Sequence, residues 1–359
     1  MQELIKRGHR VYAICPKGDK NDALKSLGCE IVNYEIERRS LNPITEILSI
    51  KRIYDAVKNI NLDILQTFTA KPNIYGTLAG KKAKIPFVIN LVEGLGSFYV
   101  TNNPKHVFVR GIMENLYKII FRMSDGCIFV NTSDPEYMLK KGIIKAEKVK
   151  IIKSVGVDTK KFSMQNYTDD NLLKIRRELK VEGKTVVLMV ARAIWDKGIR
   201  EYYEAARVIR SRVGDVEFLL VGGLDDGNPS CASEEFLRSG AVKWLGHRDD
   251  IVDITAISDV CVLPSYREGF PVTLMEACSM GKPIVTTDTY GCREVVSDGM
   301  NGFLVPARDY ASLAEKIEVL IRDGHLRKDM GRRSREKALN EFDVTRVIAQ
   351  YISYYERFI

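Results

Sequence analysis

Two hydrophobic rhythms alternate along this chain. Short runs rich in Val, Ile and Phe read as strands at Val11–Pro16, Ile31–Ile36, Ile64–Phe68, Phe87–Val92, Cys127–Asn131 and Val149–Val155. A second set follows at Thr185–Val190, Glu217–Val221, Val242–Leu245, Val260–Pro264, Pro283–Thr287 and Phe303–Val305. Between most of them lie helix-length stretches with apolar residues three and four apart. Strand and helix in alternation predict parallel sheets covered on both faces. The polar stretch Lys160–Asp170 carries neither rhythm, so the linker is expected there. The predicted domains are 1–160 and 161–340, with a final helix over 341–359 that returns to the first domain.

The start departs from the expected order. A domain of this kind opens on a central strand, a tight loop and a helix. Here Gln2–Arg7 read as the last turns of a helix, Gly8 fits the position after its end, and His9–Pro16 continue as a strand. The first strand and its loop are missing from the pattern. An upstream extension of roughly 15–20 residues is therefore expected to belong to the working protein. Comparing both forms in melting temperature and activity tests this.

Composition is that of a globular protein, 45% hydrophobic and 28% charged over 359 residues. No apolar run reaches the roughly 18 residues of a membrane span, and the opening MQELIKRGHR does not read as a secretory leader. Seven scattered cysteines without a Cys-x-x-Cys pair suggest reduced thiols and a cytoplasmic setting. Four histidines, at 9, 106, 247 and 325, have no zinc spacing. Charge is uneven: residues 1–165 hold 27 Lys and Arg against 16 Asp and Glu, while the remainder holds 28 against 31. A basic first half suits an anionic partner such as lipid headgroups or a diphosphate, or a solubilising surface.

Two segments of the second half carry candidate chemistry. VVLMVARAIWDKGIREYYEAA reads strand, loop, helix, with Arg192 leaving the strand and Lys197 beside Gly198. Strand C-termini face the ligand crevice in open α/β sheets, so two cations there could neutralise a diphosphate. Taken alone, they read more readily as solvated charges. VCVLPSYREGFPVTLMEACSMGKPIV is more specific. Glu268 lies in a loop after a strand, Pro271 suits a first helical turn, and Glu276 lies inside the helix. The loop carboxylate can accept hydrogen bonds from sugar hydroxyls, and the helical one can chelate the two ribose hydroxyls. A glycosidase pair or plain helix-surface charges are the alternatives.

Arg192-x4-Lys197 and Glu268-x7-Glu276 resemble the donor motifs of retaining glycosyltransferase family 4, and the resemblance continues through LGHRDDI (245–251), LPSYREGFP (263–271) and SDGMNGFLV (297–305). It covers nearly the whole chain and implies the GT-B fold, two Rossmann-like domains facing a cleft. It further implies that Arg192 and Lys197 bind the donor diphosphate. Glu268 and the backbone of Gly269, Phe270 and Pro271 would meet the sugar and β-phosphate, and Glu276 the ribose. Arg248, and less strongly His247, would lie near the base. Gly222 and Gly223 would admit the nucleotide or simply form a tight turn. Further stretches, LVEGLGSFY (91–99), IKSVGV (152–157), NPSCASEEFLRSGAV (228–242) and GC-x-E-VVS (291–297), resemble members that transfer a hexosamine. The implied reaction moves it, N-acetylgalactosamine by best match, from a UDP-sugar to an undecaprenyl-diphosphate-linked saccharide. Galactose or N-acetylglucosamine transfer for capsule or O-antigen is the alternative.

The pairs Asp225-Asp226 and Asp249-Asp250 fit solvated loops better than an Asp-x-Asp metal site. No metal or other cofactor is therefore expected, the cations stabilising the leaving group instead. On the acceptor side, many members of the family carry a histidine where this chain has Glu93. Glu93, with Gly94 and Gly96 allowing close approach, is the acceptor-side candidate. The segment Lys105–Met123 mixes apolar and basic residues and suits either a core helix or an anionic membrane surface. The expected location is peripheral, on the inner face of the cell membrane. A nucleotide-sugar epimerase, or a nucleotide-sugar binder without catalysis, would share the architecture. No nucleic-acid module motif is present.

Overall fold

The computed structural model describes residues 1–359 apart from 38, 39, 41, 101, 102 and 154, and only the backbone of Ser97. Ser154 of the 152–157 motif and the Ser97 side chain of the 91–99 motif thus lie outside the described residues. The chain forms two compact units: residues 1–152 with 348–359, and residues 153–347. The division falls upstream of the polar stretch 160–170, which packs in the second unit. There Thr159 donates to Asp343 at 2.5 Å, and the Phe162 carbonyl accepts from Ser279 Oγ at 2.7 Å.

The first unit holds six strands in two parallel ladders: β1 (Tyr12–Cys15), β2 (Glu30–Asn33), β3 (Ile64–Phe68), β4 (Phe87–Val92), β5 (Gly126–Phe129) and β6 (Val149–Ile151). Among the described residues β1 pairs only with β2, while the other four run in the order β3-β4-β5-β6. Tyr12 stands opposite Glu30 and Ile64 opposite Phe87. The break between the two ladders falls between β1 and β3. The opening segment is a helix, Gln2–Lys6, closed by Gly8 at φ +87°.

The second unit is one six-stranded parallel sheet: β7 (Thr185–Val190), β8 (Val216–Val221), β9 (Lys243–Trp244), β10 (Val260–Leu263), β11 (Ile284–Thr287) and β12 (Gly302–Val305). Its order is β12-β11-β10-β7-β8-β9. β8 and β10 are buried along their whole length, which is why they are apolar apart from Glu217, whose carboxylate is paired with Lys184 and Arg210. The helix Ile199–Arg210 covers the sheet with Ile199, Tyr202, Tyr203, Ala206 and Ile209. The Tyr202 hydroxyl, fully buried, donates toward the carbonyls of Val187 and Leu219 at 2.9 and 3.0 Å. A buried phenol without such a partner would cost about 1–3 kcal/mol.

Both units use one device to start an inner strand. A Ser-Asp-x-Cys run precedes β5 (Ser124–Cys127) and β10 (Ser258–Cys261). Asp125 accepts from the Val88 amide at 2.7 Å and from Lys81 at 2.5 Å. Asp259 accepts from the Val186 amide at 2.8 Å and from Arg176 at 3.2 Å. Each carboxylate thereby satisfies an orphan amide at the start of a neighbouring strand. All seven cysteines are free, five of them buried.

The last helix, Val344–Tyr355, ends against the first unit. Tyr354 lies on Gly126, where a Cβ would come within 2.1 Å of its hydroxyl, and Phe358 packs on Phe87 at 5.3 Å between ring centres. Gly126 is small because Tyr354 occupies the space its side chain would need.

Candidate active site

The second unit gathers its chemistry at the C-terminal ends of β7, β8, β10 and β11. β7 and β8 come so close beyond their ends that a Cβ on Gly222 would lie 1.7 Å from the Ala191 carbonyl oxygen. Gly222 also sits at φ +150° and accepts from the Trp244 indole at 2.8 Å. Its smallness therefore serves strand approach. Gly223 has more room: a Cβ there would meet only His247, at 3.6 Å.

Arg192 leaves β7, and its Nη1 donates to Asp225 Oδ2 at 2.6 Å. Lys197 closes a short turn, Trp195–Lys197, ahead of Gly198 at φ +76°. A Cβ on Gly198 would stand 2.1 Å from the Pro264 carbonyl oxygen, so this turn lies directly on the end of β10. That contact brings Lys197 to Glu268, with Nζ to Oε1 at 2.5 Å and both side chains largely buried.

The loop carrying Glu268 is braced on several sides. Its amide donates to the Tyr290 carbonyl at 3.0 Å, and the Tyr266 amide donates to the Asp196 carbonyl at 2.9 Å. Thr289 donates to the Ser265 carbonyl at 3.2 Å. Gly291, at φ +82°, lies under the loop, where a Cβ would come within 2.7 Å of the carbonyl oxygens of Glu268 and Gly269. Phe270 is buried against Phe342 at 5.6 Å between ring centres. Pro271 is the cap residue of the helix Val272–Ser279 and stands one position outside the first turn expected of it. Glu276 lies in that helix, and burial pushes its carboxyl up to about 7, opposed by the charge of Lys161.

Arg248 forms a two-point pair with Asp250, at 2.8 and 2.6 Å. That pairing holds the Asp250 carboxyl below its ordinary range. His247 is largely exposed, 3.5 Å from Asp249. Asp225 and Asp250, the loop acids of the two acidic pairs, are each paired with an arginine. The contacts of Asp225, Thr289 and Gly291 are not legible in the pattern, because nothing in spacing shows which loops touch.

In the first unit, Glu93 follows β4 directly; it stays exposed, and partial desolvation raises its carboxyl above the ordinary value. Gly94 and Gly96 take φ +143° and +84°, backbone that disfavours a side chain. Tyr351, from the returning C-terminal segment, feels the charge of Glu93. Among the described residues no cluster of three His, Cys, Asp or Glu forms a metal site.

Comparisons with known proteins bear on this arrangement. Residues 171–337 match the family model described as glycosyl transferases group 1, and residues 1–131 that described as glycosyl transferase 4-like. Over its full length the chain is 40% identical to the N,N'-diacetylbacillosaminyl-diphospho-undecaprenol alpha-1,3-N-acetylgalactosaminyltransferase of Campylobacter jejuni, covering 94% of that protein. The chain is a family 4 glycosyltransferase. The transferase is also 26% identical, over 86% of its length and 79% of the relative, to the UDP-Gal:alpha-D-GlcNAc-diphosphoundecaprenol alpha-1,3-galactosyltransferase of Escherichia coli. Its GT-B fold is shared by Anabaena HepE, solved in complex with UDP-glucose, at a TM-score of 0.81 and 19% identity over 99% of this chain and 94% of the other.

Proposed function

We propose that the transferase moves N-acetylgalactosamine from its UDP-sugar to an undecaprenyl-diphosphate-linked saccharide, with retention at the anomeric carbon. The end-to-end identity to the Campylobacter enzyme supports this substrate pair over the galactose transfer named for the more distant relative. The observation that carries the donor site is the convergence of Lys197 on Glu268 where β7 and β10 end.

In this reading Arg192 and Lys197 hold the donor diphosphate, Glu268 and the backbone of residues 269–271 hold the sugar, and Glu276 holds the ribose. Arg248, with His247 beside it, borders the base. The bond from the anomeric carbon to the phosphate oxygen breaks as the acceptor hydroxyl oxygen bonds to the same carbon. The hydroxyl proton passes to the departing phosphate oxygen, whose charge the two cations stabilise. No protein base is needed, and the cations serve in place of a metal ion. Glu93 receives the acceptor saccharide in the first unit.

A donor panel against extracted lipid-linked saccharides, read by mass spectrometry, tests this. Transfer of N-acetylgalactosamine, unchanged by EDTA, is the expected result. Galactose transfer would install the alternative, and loss in EDTA restored by magnesium or manganese would sink the metal-free mechanism.

The acceptor's lipid calls for contact with a membrane surface, and the helix Pro104–Met123 suits that contact. Tyr117, Ile120 and Phe121 face the core, while Phe108, Ile112, Ile119 and Met123 form an exposed stripe on the other side. Lys105, Lys118 and Arg122 accompany that stripe, matching anionic headgroups on the cytoplasmic face at up to about 1 kcal/mol per basic group. Among the described residues no helix is long and apolar enough to cross a membrane. Phe108→Glu with Ile112→Glu should reduce flotation with phosphatidylglycerol-rich vesicles at least several-fold. Unchanged flotation would remove the helix from the membrane contact.

A further inference from the structure

The excursion between β8 and β9 is longer than strand connection requires, and its sequence, which ends in NPSCASEEFLRSGAV, has no role in the donor motifs. Its contacts give it one. Ile194 and Cys231 form an antiparallel bridge. The Trp195 amide donates to the Ser230 carbonyl at 2.7 Å, and the Ala232 amide to the Ala193 carbonyl at 2.9 Å. The Trp195 ring meets Phe236 edge-on at 4.9 Å, and Phe236 packs on Tyr203 at 4.8 Å. Residues 230–236 therefore grip the turn that lies between Arg192 and Lys197.

Asp225 stands at the head of this excursion. Its carboxylate takes Arg192 Nη1 at 2.6 Å and the Asn228 amide nitrogen at 2.7 Å. The Asn228 backbone amide donates to the Asp225 carbonyl at 2.9 Å, closing a turn that fixes the carboxylate. Arg192 is 62% exposed, against 23% for Asp225. An arginine that open to water loses much rotamer freedom when a ligand binds it, unless a neighbour has already restricted it. The contact through Nη1 is compatible with a second ligand on the rest of the guanidinium fork.

We infer that Asp225 is a positioning residue for the donor diphosphate, holding Arg192 in its binding direction from the β8–β9 excursion. This rests on the donor-site reading above. Two effects of Asp225 oppose each other. Its charge repels a diphosphate, and its grip pre-orders the arginine. The inference is that ordering prevails, so removing the carboxylate weakens binding even though the site becomes more positive.

The test is UDP affinity by calorimetry and donor KM on the full chain, for Asp225→Asn, Arg192→Ala and the double variant. Asparagine retains an acceptor for the Asn228 turn, and the melting temperature checks that the fold survives. Arg192→Ala is expected to weaken UDP binding by on the order of 10-fold, as loss of one charge-assisted contact. Asp225→Asn is expected to weaken it roughly 5-fold and to raise donor KM more than it lowers kcat, with no added loss in the double variant. Tighter or unchanged UDP binding in Asp225→Asn overturns the inference. So does an equal loss with and without Arg192, which would mark a purely structural role. If Arg192→Ala itself leaves UDP affinity unchanged, the donor-site reading fails first.

Discussion

Lys197→Ala and Glu268→Ala should each lower turnover by at least on the order of 10²-fold with saturating donor. The magnitude is that of one removed electrostatic contact to charge that develops only as the leaving group departs. The lysine would face the diphosphate as its bridging oxygen gains charge, and the glutamate would orient the sugar whose anomeric carbon reacts. Because the two are paired at 2.5 Å in a largely buried setting, either change also strands the other charge. A fall in activity must therefore be separated from a fall in stability. Glu268→Gln keeps the shape and a hydrogen-bond acceptor. It should retain a melting temperature closer to the parent than Glu268→Ala, yet remain strongly impaired in turnover. Near-native rates in either alanine variant at saturating donor would remove Lys197 and Glu268 from the reaction.

The parts legible from sequence are those set by short-range chemistry. All twelve strands fall where apolar runs between helical stretches place them, with ends displaced by a few residues: Glu30–Asn33 for 31–36, Lys243–Trp244 for 242–245. Strands buried on both faces are largely apolar, so β10 announces itself throughout and β8 everywhere but at Glu217. Loop-to-loop contact was not readable. Gly291 resembles any turn glycine until its missing side chain proves to be the space taken by the Glu268 and Gly269 carbonyls. Asp225 looked like a solvated acid because a turn fixed by Asn228, invisible in any periodicity, aims it at Arg192 from 33 positions away. The Lys105–Met123 segment shows the same limit: its spacing makes both faces apolar, and only packing separates Tyr117, Ile120 and Phe121 from the exposed stripe.

Glu276→Gln should stabilise the protein above pH 7 and weaken donor binding in the same variant. The Glu276 carboxyl is pushed up to about 7 by burial, from an ordinary value of 4.5. A raised folded value means the native state holds the proton more tightly than the unfolded chain. The resulting stability is complete below pH 4.5, declines as pH rises, and is lost once pH passes about 7. At pH 8 the native state thus carries an ionised carboxylate in a poorly hydrated place, a penalty on the order of 2 kcal/mol after allowance for its partial exposure. Glutamine removes that penalty at pH 8 and changes little at pH 5, so the gain in melting temperature should appear only at the higher pH. Donor binding runs the other way. Ribose hydroxyls donate hydrogen bonds, and an ionised carboxylate is the stronger acceptor for both. UDP affinity in the parent should therefore rise with pH up to about 7.5, with proton release on binding, while the glutamine variant binds at least on the order of 10-fold more weakly and without that pH dependence. Calorimetry in two buffers of different ionisation heat measures the proton release, and thermal melts at pH 5 and 8 measure the stability. A glutamine variant that binds UDP like the parent would place the ribose elsewhere. One that gains equally at both pH values would show that its stability change has nothing to do with ionisation.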